Sequence, residues 1–108
     1  MVAVLAGLAA AGTGGWARAA DDEAIAVTIQ DHKFMPAEIH VPAGKPATLK
    51  VENKDSSAEE FDSSALKVEK VIAGGHTAVI HLRPLEKGRY KFMGEYHEAT
   101  AQGVVIAE

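Results

Sequence analysis

Apolar and polar residues alternate in several short stretches of this chain, a pattern typical of half-buried β-strands. Leu49 and Val51 alternate with Lys50 and Glu52 in the clearest stretch. Gly and Pro residues separate the stretches about every ten residues, and no helical periodicity is sustained. The alternation predicts inward-facing side chains at Ile25, Val27, Ile29, Ile39, Val41, Ala78, Ile80 and Leu82. The sequence therefore predicts an all-β sandwich or barrel of about seven strands.

Two segments depart from this alternation. Residues 54–64 carry four acidic residues and one large apolar anchor, Phe61, and predict a long connection with one helical turn over residues 58–60. Residues 66–72 predict another strand, in which the apolar positions change side between Val68 and Val71. A bulge or a strand boundary near Glu69 would account for that change.

The N-terminus is expected to be an export signal. Residues 1–15 are almost all small or apolar, and Ala17-Arg18-Ala19 predicts cleavage near Ala19 or Ala20. No Lys or Arg lies between Met1 and Gly15, so either the true start lies upstream or this segment is not a working signal. We therefore expect a signal peptide or a disordered tail over residues 1–20 and one periplasmic domain over residues 21–108.

The composition argues against several kinds of binding site. The chain has no Cys, which excludes disulfides and thiolate-bound metals. Its formal charge of −4 argues against nucleic acid as a partner. No nucleophile elbow or oxyanion loop accompanies the serines near the C-terminal half, so enzymatic activity is left open rather than predicted.

Residues 90–97 hold the densest group of chemically capable side chains. Tyr90 and Phe92 predict one face of a strand, and Gly94 interrupts it. Glu95 and His97 follow, and they would face the same side if the segment stayed extended. An imidazole with a carboxylate suits iron, copper(II), zinc or manganese. The alternative is an exposed polar loop.

Further candidate ligands lie elsewhere in the chain. Adjacent Glu59 and Glu60 would repel each other unless a cation or a proton lay between them. Met93 and Met35 are soft ligands that favour copper, although a lone Met more often fills a core. The remaining candidates interrupt strand patterns and could form a second site: His32 and Glu69.

Several motifs resemble the cupredoxin family over roughly residues 24–108. The segment Tyr90-x-Phe92-x-Gly94-x-x-His97 resembles the Tyr-x-Phe-x-Cys-x-x-His segment of blue-copper sites. This resemblance implies a Greek-key β-sandwich. Gly94 stands in the place of the thiolate, and Glu59, two residues before Phe61, stands in the place of the first histidine. Blue-copper electron transfer depends on the copper-thiolate bond and is therefore not expected.

Within that family, the chain looks most like cysteine-free cupredoxin-like proteins of bacterial ferrous-iron transport. The likeness implies a domain that binds copper and/or iron and assists iron uptake by capture, oxidation or hand-over to a membrane iron permease or another periplasmic transport component. A weak homodimer is a further expectation. Two alternatives are a copper carrier that uses Met93, Met35 and His97, and a metal-free structural or interaction module on the same frame.

Overall fold

The computed structural model describes residues 23–108, which form two β-sheets packed face to face. The expected signal segment, residues 1–20, lies outside the described residues. The chain from residue 23 onward contains no α-helix and one short 3₁₀ helix. Within the same residues, no helix has the length and apolar character needed to cross a bilayer. The prediction of an all-β sandwich is confirmed.

Nine strands, rather than about seven, build the two sheets. Their bounds are β1 Ile25–Gln30, β2 Lys33–Met35, β3 Glu38–Val41, β4 Ala47–Asn53, β5 Glu59–Ser63, β6 Val68–Ile72, β7 Thr77–Leu82, β8 Gly88–Gly94 and β9 Gln102–Ala107. One sheet has the order β2-β1-β4-β7 and the other the order β3-β9-β8-β5-β6. Two neighbouring pairs, β1 with β4 and β3 with β9, are parallel, so the chain crosses between the sheets to complete each of them.

The core lies between the sheets and follows the alternation in the sequence. Leu49 and Val51 are fully buried, whereas Lys50 and Glu52 on the same strand are exposed. Three aromatic rings fill the centre: Phe61 and Phe92 stack with centroids 4.7 Å apart, and Phe34 meets Phe92 edge to face at 4.9 Å. Burial of these rings fixes which face of β5 and β8 points inward.

The helical turn expected over residues 58–60 is wrong, because this part of the chain is strand β5. β5 pairs along its whole length with β6 and at Phe61 and Asp62 with β8. Its side chains alternate strictly, with Glu59, Phe61 and Ser63 buried. The alternation was hidden in the sequence because two of the three inward side chains are polar.

Of the two explanations for the change of side near Glu69, the strand boundary is confirmed and the bulge is wrong. Strand β6 begins only at Val68, and Leu66 lies in the preceding turn, where Lys67 has a positive φ of 58°. The pairing of β6 with β5 runs without interruption from Val68 to Ile72. Val71 faces outward and is 53% exposed, so its apolar side chain does not mark the core face.

Candidate metal centre

The loop after β8 is a closed turn rather than an extended segment. Glu95–His97 forms a 3₁₀ helix, and the Ala101 N–H donates to the His97 carbonyl at 2.8 Å. The Gly94 N–H donates to the Ala101 carbonyl at 2.8 Å and closes the base of the loop. Because a 3₁₀ helix has about three residues per turn, side chains two positions apart diverge by about 120°. Glu95 and His97 therefore do not face the same side.

Glu59 places a carboxylate inside the sandwich, with a side chain that is only 2% exposed. One oxygen, Oε1, accepts the backbone N–H groups of Glu60 at 3.0 Å and Tyr96 at 2.9 Å. The other oxygen, Oε2, lies 2.6 Å from Nδ1 of His97. Buried carboxylates are costly unless they are hydrogen-bonded, and these three contacts satisfy this one. Glu59 thereby ties strand β5 to the 3₁₀ turn.

Gly94 leaves the space that the Glu59 carboxylate occupies. A Cβ atom at position 94 would lie 2.5 Å from Cδ and 2.7 Å from Oε2 of Glu59, and 2.7 Å from Cβ of Ala101. Such distances are too short for any side chain to be accommodated without movement of its neighbours. The glycine at this position is therefore required by packing against Glu59.

His32 stacks on His97, with ring centroids 3.5 Å apart and planes inclined by 13°. It belongs to a tight turn between β1 and β2, in which Asp31 and His32 both have positive φ values, 55° and 59°. The carboxylate of Asp55 accepts both of their backbone N–H groups, at 2.8 and 3.0 Å. Because nitrogen lone pairs lie in the ring plane, one ring must leave the stack before both imidazoles can bind one ion.

Asp55 is held in its ionised form by this turn. The hydrogen bond from the His32 backbone N–H lowers the pKa of the Asp55 carboxyl, and the bond from Asp31 and the nearby imidazoles act in the same direction. The carboxylate thus adds negative charge beside the two histidines. Such a charge favours a cation bound at their exposed edge.

A second group of carboxylates lies on the outer face of the five-stranded sheet. Glu60, Glu69 and Glu95 each offer an oxygen, and the three oxygens lie within 4.8 Å of one another. They come from β5, β6 and the 3₁₀ turn. Asp62 pairs with Glu69 in the sheet, so Glu60 is the diagonal neighbour of Glu69 on the same face. Three segments distant in sequence therefore converge on one acidic cluster.

The carboxylates of this outer cluster perturb one another. A hydrogen bond with Glu95, followed by partial desolvation and the negative charges of Glu95, Glu69 and Asp62, raises the pKa of Glu60 to about 7. The Glu60 carboxyl thus keeps its proton to a higher pH than an ordinary glutamate. A bound cation would replace that proton and remove the repulsion.

A family model described as "Cupredoxin-like domain" matches residues 1–107. The chain belongs to the cupredoxin-like family. It is 39% identical over 82 residues to an uncharacterized protein of Rickettsia prowazekii (strain Madrid E), an alignment that covers 76% of this chain and 66% of that protein. The chain thus spans just under two thirds of the length of this relative.

Solved structures share the cupredoxin-like fold. The metal-binding domain of the Cu(I)-exporting P-type ATPase CopA of Streptococcus pneumoniae D39, with Cu(I), superposes with a TM-score of 0.69 at 21% identity, covering 78% of this chain and 83% of that one. A methionine-to-alanine variant of amicyanin with Cu(I) gives 0.62 at 24% identity, covering 79% and 82%. At these identities the likeness establishes the fold.

A blue-copper centre does not fit this cupredoxin-like chain. The position expected for its thiolate is Gly94, and the space around that position is filled by the Glu59 carboxylate. Nδ1 of His97 is engaged with the same carboxylate. Oxygen and imidazole donors remain, and these suit iron, copper(II) or zinc without a thiolate.

The structure divides the predicted site residues of the cupredoxin-like domain into two groups and leaves two residues apart. The inner group consists of His32, Glu59 and His97, and the outer cluster consists of Glu60, Glu69 and Glu95. Met35 is 51% exposed and lies on the outer side of the four-stranded sheet, because its neighbour Phe34 points inward. Met93 lies on the outer face of the five-stranded sheet, beside Asp62 and Gln102, because its neighbour Phe92 points inward. The two methionines are therefore not brought together.

Sequence reasoning missed Asp55, which fixes the turn that carries His32. Its own N–H donates to the side-chain oxygen of Asn53 at 3.0 Å, and Asn53 is fully buried at the end of β4. An Asn followed two residues later by an Asp, directly after a strand, is typical of a structured turn. That pattern could have singled out Asp55, but not its partners 23 and 24 residues away.

Proposed function

We propose that this cupredoxin-like protein is exported to the periplasm and assists iron uptake by binding iron at the outer cluster and copper beside His97. The observation that carries the proposal is the convergence of Glu60, Glu69 and Glu95, whose oxygens lie within 4.8 Å of one another. Three carboxylates held this close repel one another unless a cation or a proton lies between them. The structural neighbour with the highest TM-score named above binds Cu(I), which supports copper as one of the metals.

The donor chemistry supports different metals for the two groups. Carboxylate oxygens are hard ligands that stabilise Fe(III) more than Fe(II), so binding at the outer cluster would lower the Fe(III)/Fe(II) reduction potential of the captured iron. His97 and His32 offer imidazole nitrogens, which suit copper(II) and zinc. The outer cluster is exposed at two of its three members, which would permit hand-over to a membrane permease. Iron is the cargo in this proposal, and the permease is the expected partner.

Calorimetric titration of the mature protein with Fe(II), without oxygen, and with Cu(II) tests the proposal. We expect Fe(II) to bind with a Kd below about 100 μM, and the variant Glu60→Gln/Glu69→Gln/Glu95→Gln to bind it at least about tenfold more weakly. Cu(II) binding should be lost in His97→Ala and kept in that triple variant.

A matched control keeps the change in net charge. The variant Glu38→Gln/Glu86→Gln/Glu98→Gln removes three exposed carboxylates outside the outer cluster. It should bind Fe(II) as the unaltered protein does. Equal loss in both triple variants, or no binding tighter than about 100 μM, would contradict the proposal.

The alternative of a metal-free interaction module has one observation in its favour. Glu59 fills the interior next to Gly94 and uses both of its oxygens in hydrogen bonds, so the sandwich end is closed without a metal. That alternative predicts the same thermal midpoint with and without added Fe(II) or Cu(II). Metal binding to the folded state would instead raise the midpoint with metal concentration.

A further inference from the structure

The contact between Glu59 and His97 determines which ring nitrogen carries a proton. An ionised carboxylate only accepts hydrogen bonds, and Oε2 of Glu59 lies 2.6 Å from Nδ1 of His97. A neutral imidazole can satisfy this contact only when Nδ1 carries the hydrogen. The lone pair of the ring is then on Nε2.

Nε2 of His97 is left accessible by its surroundings. Among residues 23–108, neither a side chain nor a backbone group hydrogen-bonds to this atom, and no buried polar side-chain atom lacks a partner. The His97 side chain is 26% exposed, so its free edge reaches solvent. The ring is therefore oriented with one nitrogen inward on Glu59 and the other outward.

Glu59 itself is poorly arranged to bind a metal directly. Its two oxygens already accept three hydrogen bonds, and two of the donors are backbone N–H groups, that of Glu60 in strand β5 and that of Tyr96 in the 3₁₀ turn. The space beside Cδ is closed by Gly94, where even a Cβ atom would not fit. An ion between Glu59 and His97 would have to separate atoms that are in hydrogen-bond contact.

We infer that Glu59 is a positioning residue, whose carboxylate keeps the proton on Nδ1 of His97 so that Nε2 is the nitrogen that binds the metal. The inference rests on the proposed function, in which His97 binds copper, and it assigns to Glu59 a different role from the ligand expected from the sequence. Carboxylates that hold a histidine in this way raise the basicity of the ligating nitrogen and fix the ring direction.

Nitrogen NMR of the unaltered protein at about pH 8, where an ordinary imidazole is neutral, tests the first half directly. The expected result without metal is a proton on Nδ1 of His97 and an unprotonated Nε2. Addition of Zn(II), a diamagnetic probe, should then shift Nε2 and leave the Nδ1 proton in place. A proton on Nε2 in the free protein, or zinc attached to Nδ1, would overturn the inference.

Glu59→Gln tests the role of the carboxylate at nearly constant shape. The amide oxygen can still accept the N–H groups of Glu60 and Tyr96, which turns the amide nitrogen, a donor, toward His97. Nδ1 must then accept, so the proton should move to Nε2 and the Zn(II) affinity at His97 should fall at least about tenfold. Glu86→Gln, which removes an exposed carboxylate outside both groups, should leave the proton on Nδ1 and the Zn(II) affinity unchanged.

The two measurements separate this inference from the proposed function. The position of the proton in the metal-free protein reports the role of Glu59 whether or not a metal binds. If Zn(II) and Cu(II) leave the His97 resonances unchanged, the proposed copper site fails, and the metal-binding part of the inference fails with it. If Glu59→Gln does not fold, the measurements on the unaltered protein still decide the assignment.

Discussion

Glu59 and Glu60 are neighbours in the chain, but strand β5 directs them to opposite faces of its sheet. The inner carboxylate is buried and accepts three hydrogen bonds, from Glu60, Tyr96 and His97. The outer carboxylate meets two further carboxylates, and its pKa is raised to about 7. The protein itself thus satisfies the inner carboxylate with hydrogen bonds, whereas the repulsion within the outer cluster is relieved only by a proton or a cation.

This difference separates structural from binding roles among identical side chains. A carboxylate whose oxygens are all satisfied stabilises the fold and positions its partners. A carboxylate surrounded by like charges destabilises the metal-free protein and gains from a cation. Removal of Glu59 should therefore damage the fold, and removal of Glu60 should damage metal binding.

The largest expected effect is on stability. Glu59→Ala leaves two part-buried backbone N–H groups and one ring N–H without an acceptor, and we expect the free energy of unfolding to fall by about 3 kcal/mol. Glu60→Ala should change it by less than about 0.5 kcal/mol or raise it. Urea denaturation of the two variants without metal measures the contrast. Equal losses would mean that the two carboxylates do not differ as described.

Gly94→Ala should be the next most damaging change, because its Cβ would press on Glu59 and Ala101. We expect a loss of about 2 kcal/mol in the free energy of unfolding. Glu59→Ala removes part of this clash. The double variant should therefore lose less stability than the sum of the losses in Gly94→Ala and Glu59→Ala. Strict additivity in this cycle would contradict the packing of Gly94 against the carboxylate.

Asp55→Ala should have a smaller effect, centred on His32. The turn loses an acceptor for two backbone N–H groups, and we expect about 1 kcal/mol less stability. The ring of His32 should leave the stack, which removes its ring-current shift from the His97 protons in NMR spectra. Asp62→Ala, on the outer face, is the matched control and should leave those protons unchanged.

The smallest effect is a pH dependence of stability that belongs to the outer cluster. The pKa of Glu60 rises from its ordinary value of 4.5 to about 7 on folding, so its contribution is full below pH 4.5 and is lost as the pH rises through 7. The thermal midpoint of the metal-free protein should therefore fall as the pH rises through 7. Glu60→Gln should remove this decline, and persistence of the same decline in that variant would assign it to another group.

Much of the fold was predictable because its inward positions are mostly apolar. Leu49, Val51, Ile80 and Leu82 alternate with polar residues, and all four are buried. Strand β5 was missed because Glu59 and Ser63 occupy inward positions that usually carry apolar side chains. Its polar interior is satisfied by partners from distant segments, which a local pattern does not reveal.

The sequence indicated which residues to consider for the candidate site, but it did not indicate how they are arranged. His97, Glu59, Glu60 and Glu95 were expected from the sequence as members of one site, and Glu69 was expected with His32 in a second site. Their division depends on the parity of β5 and on the 3₁₀ turn at Glu95–His97, neither of which is encoded in the spacing of the ligands. The stack of His32 on His97 depends on Asp55, which contacts the turn from another strand end.

Paramagnetic line broadening by Mn(II), a redox-inert ion that prefers oxygen ligands, tests the outer cluster most directly. At substoichiometric Mn(II), the account predicts that amide signals of Glu60, Glu69 and Glu95 disappear first, and that those of Glu86 and Glu108 persist. In the variant that replaces the three clustered glutamates with glutamine, the amide signals of positions 60, 69 and 95 should not disappear before the others. Broadening spread evenly over all exposed carboxylates, or unchanged in that variant, would contradict the assignment of the outer cluster as the metal site.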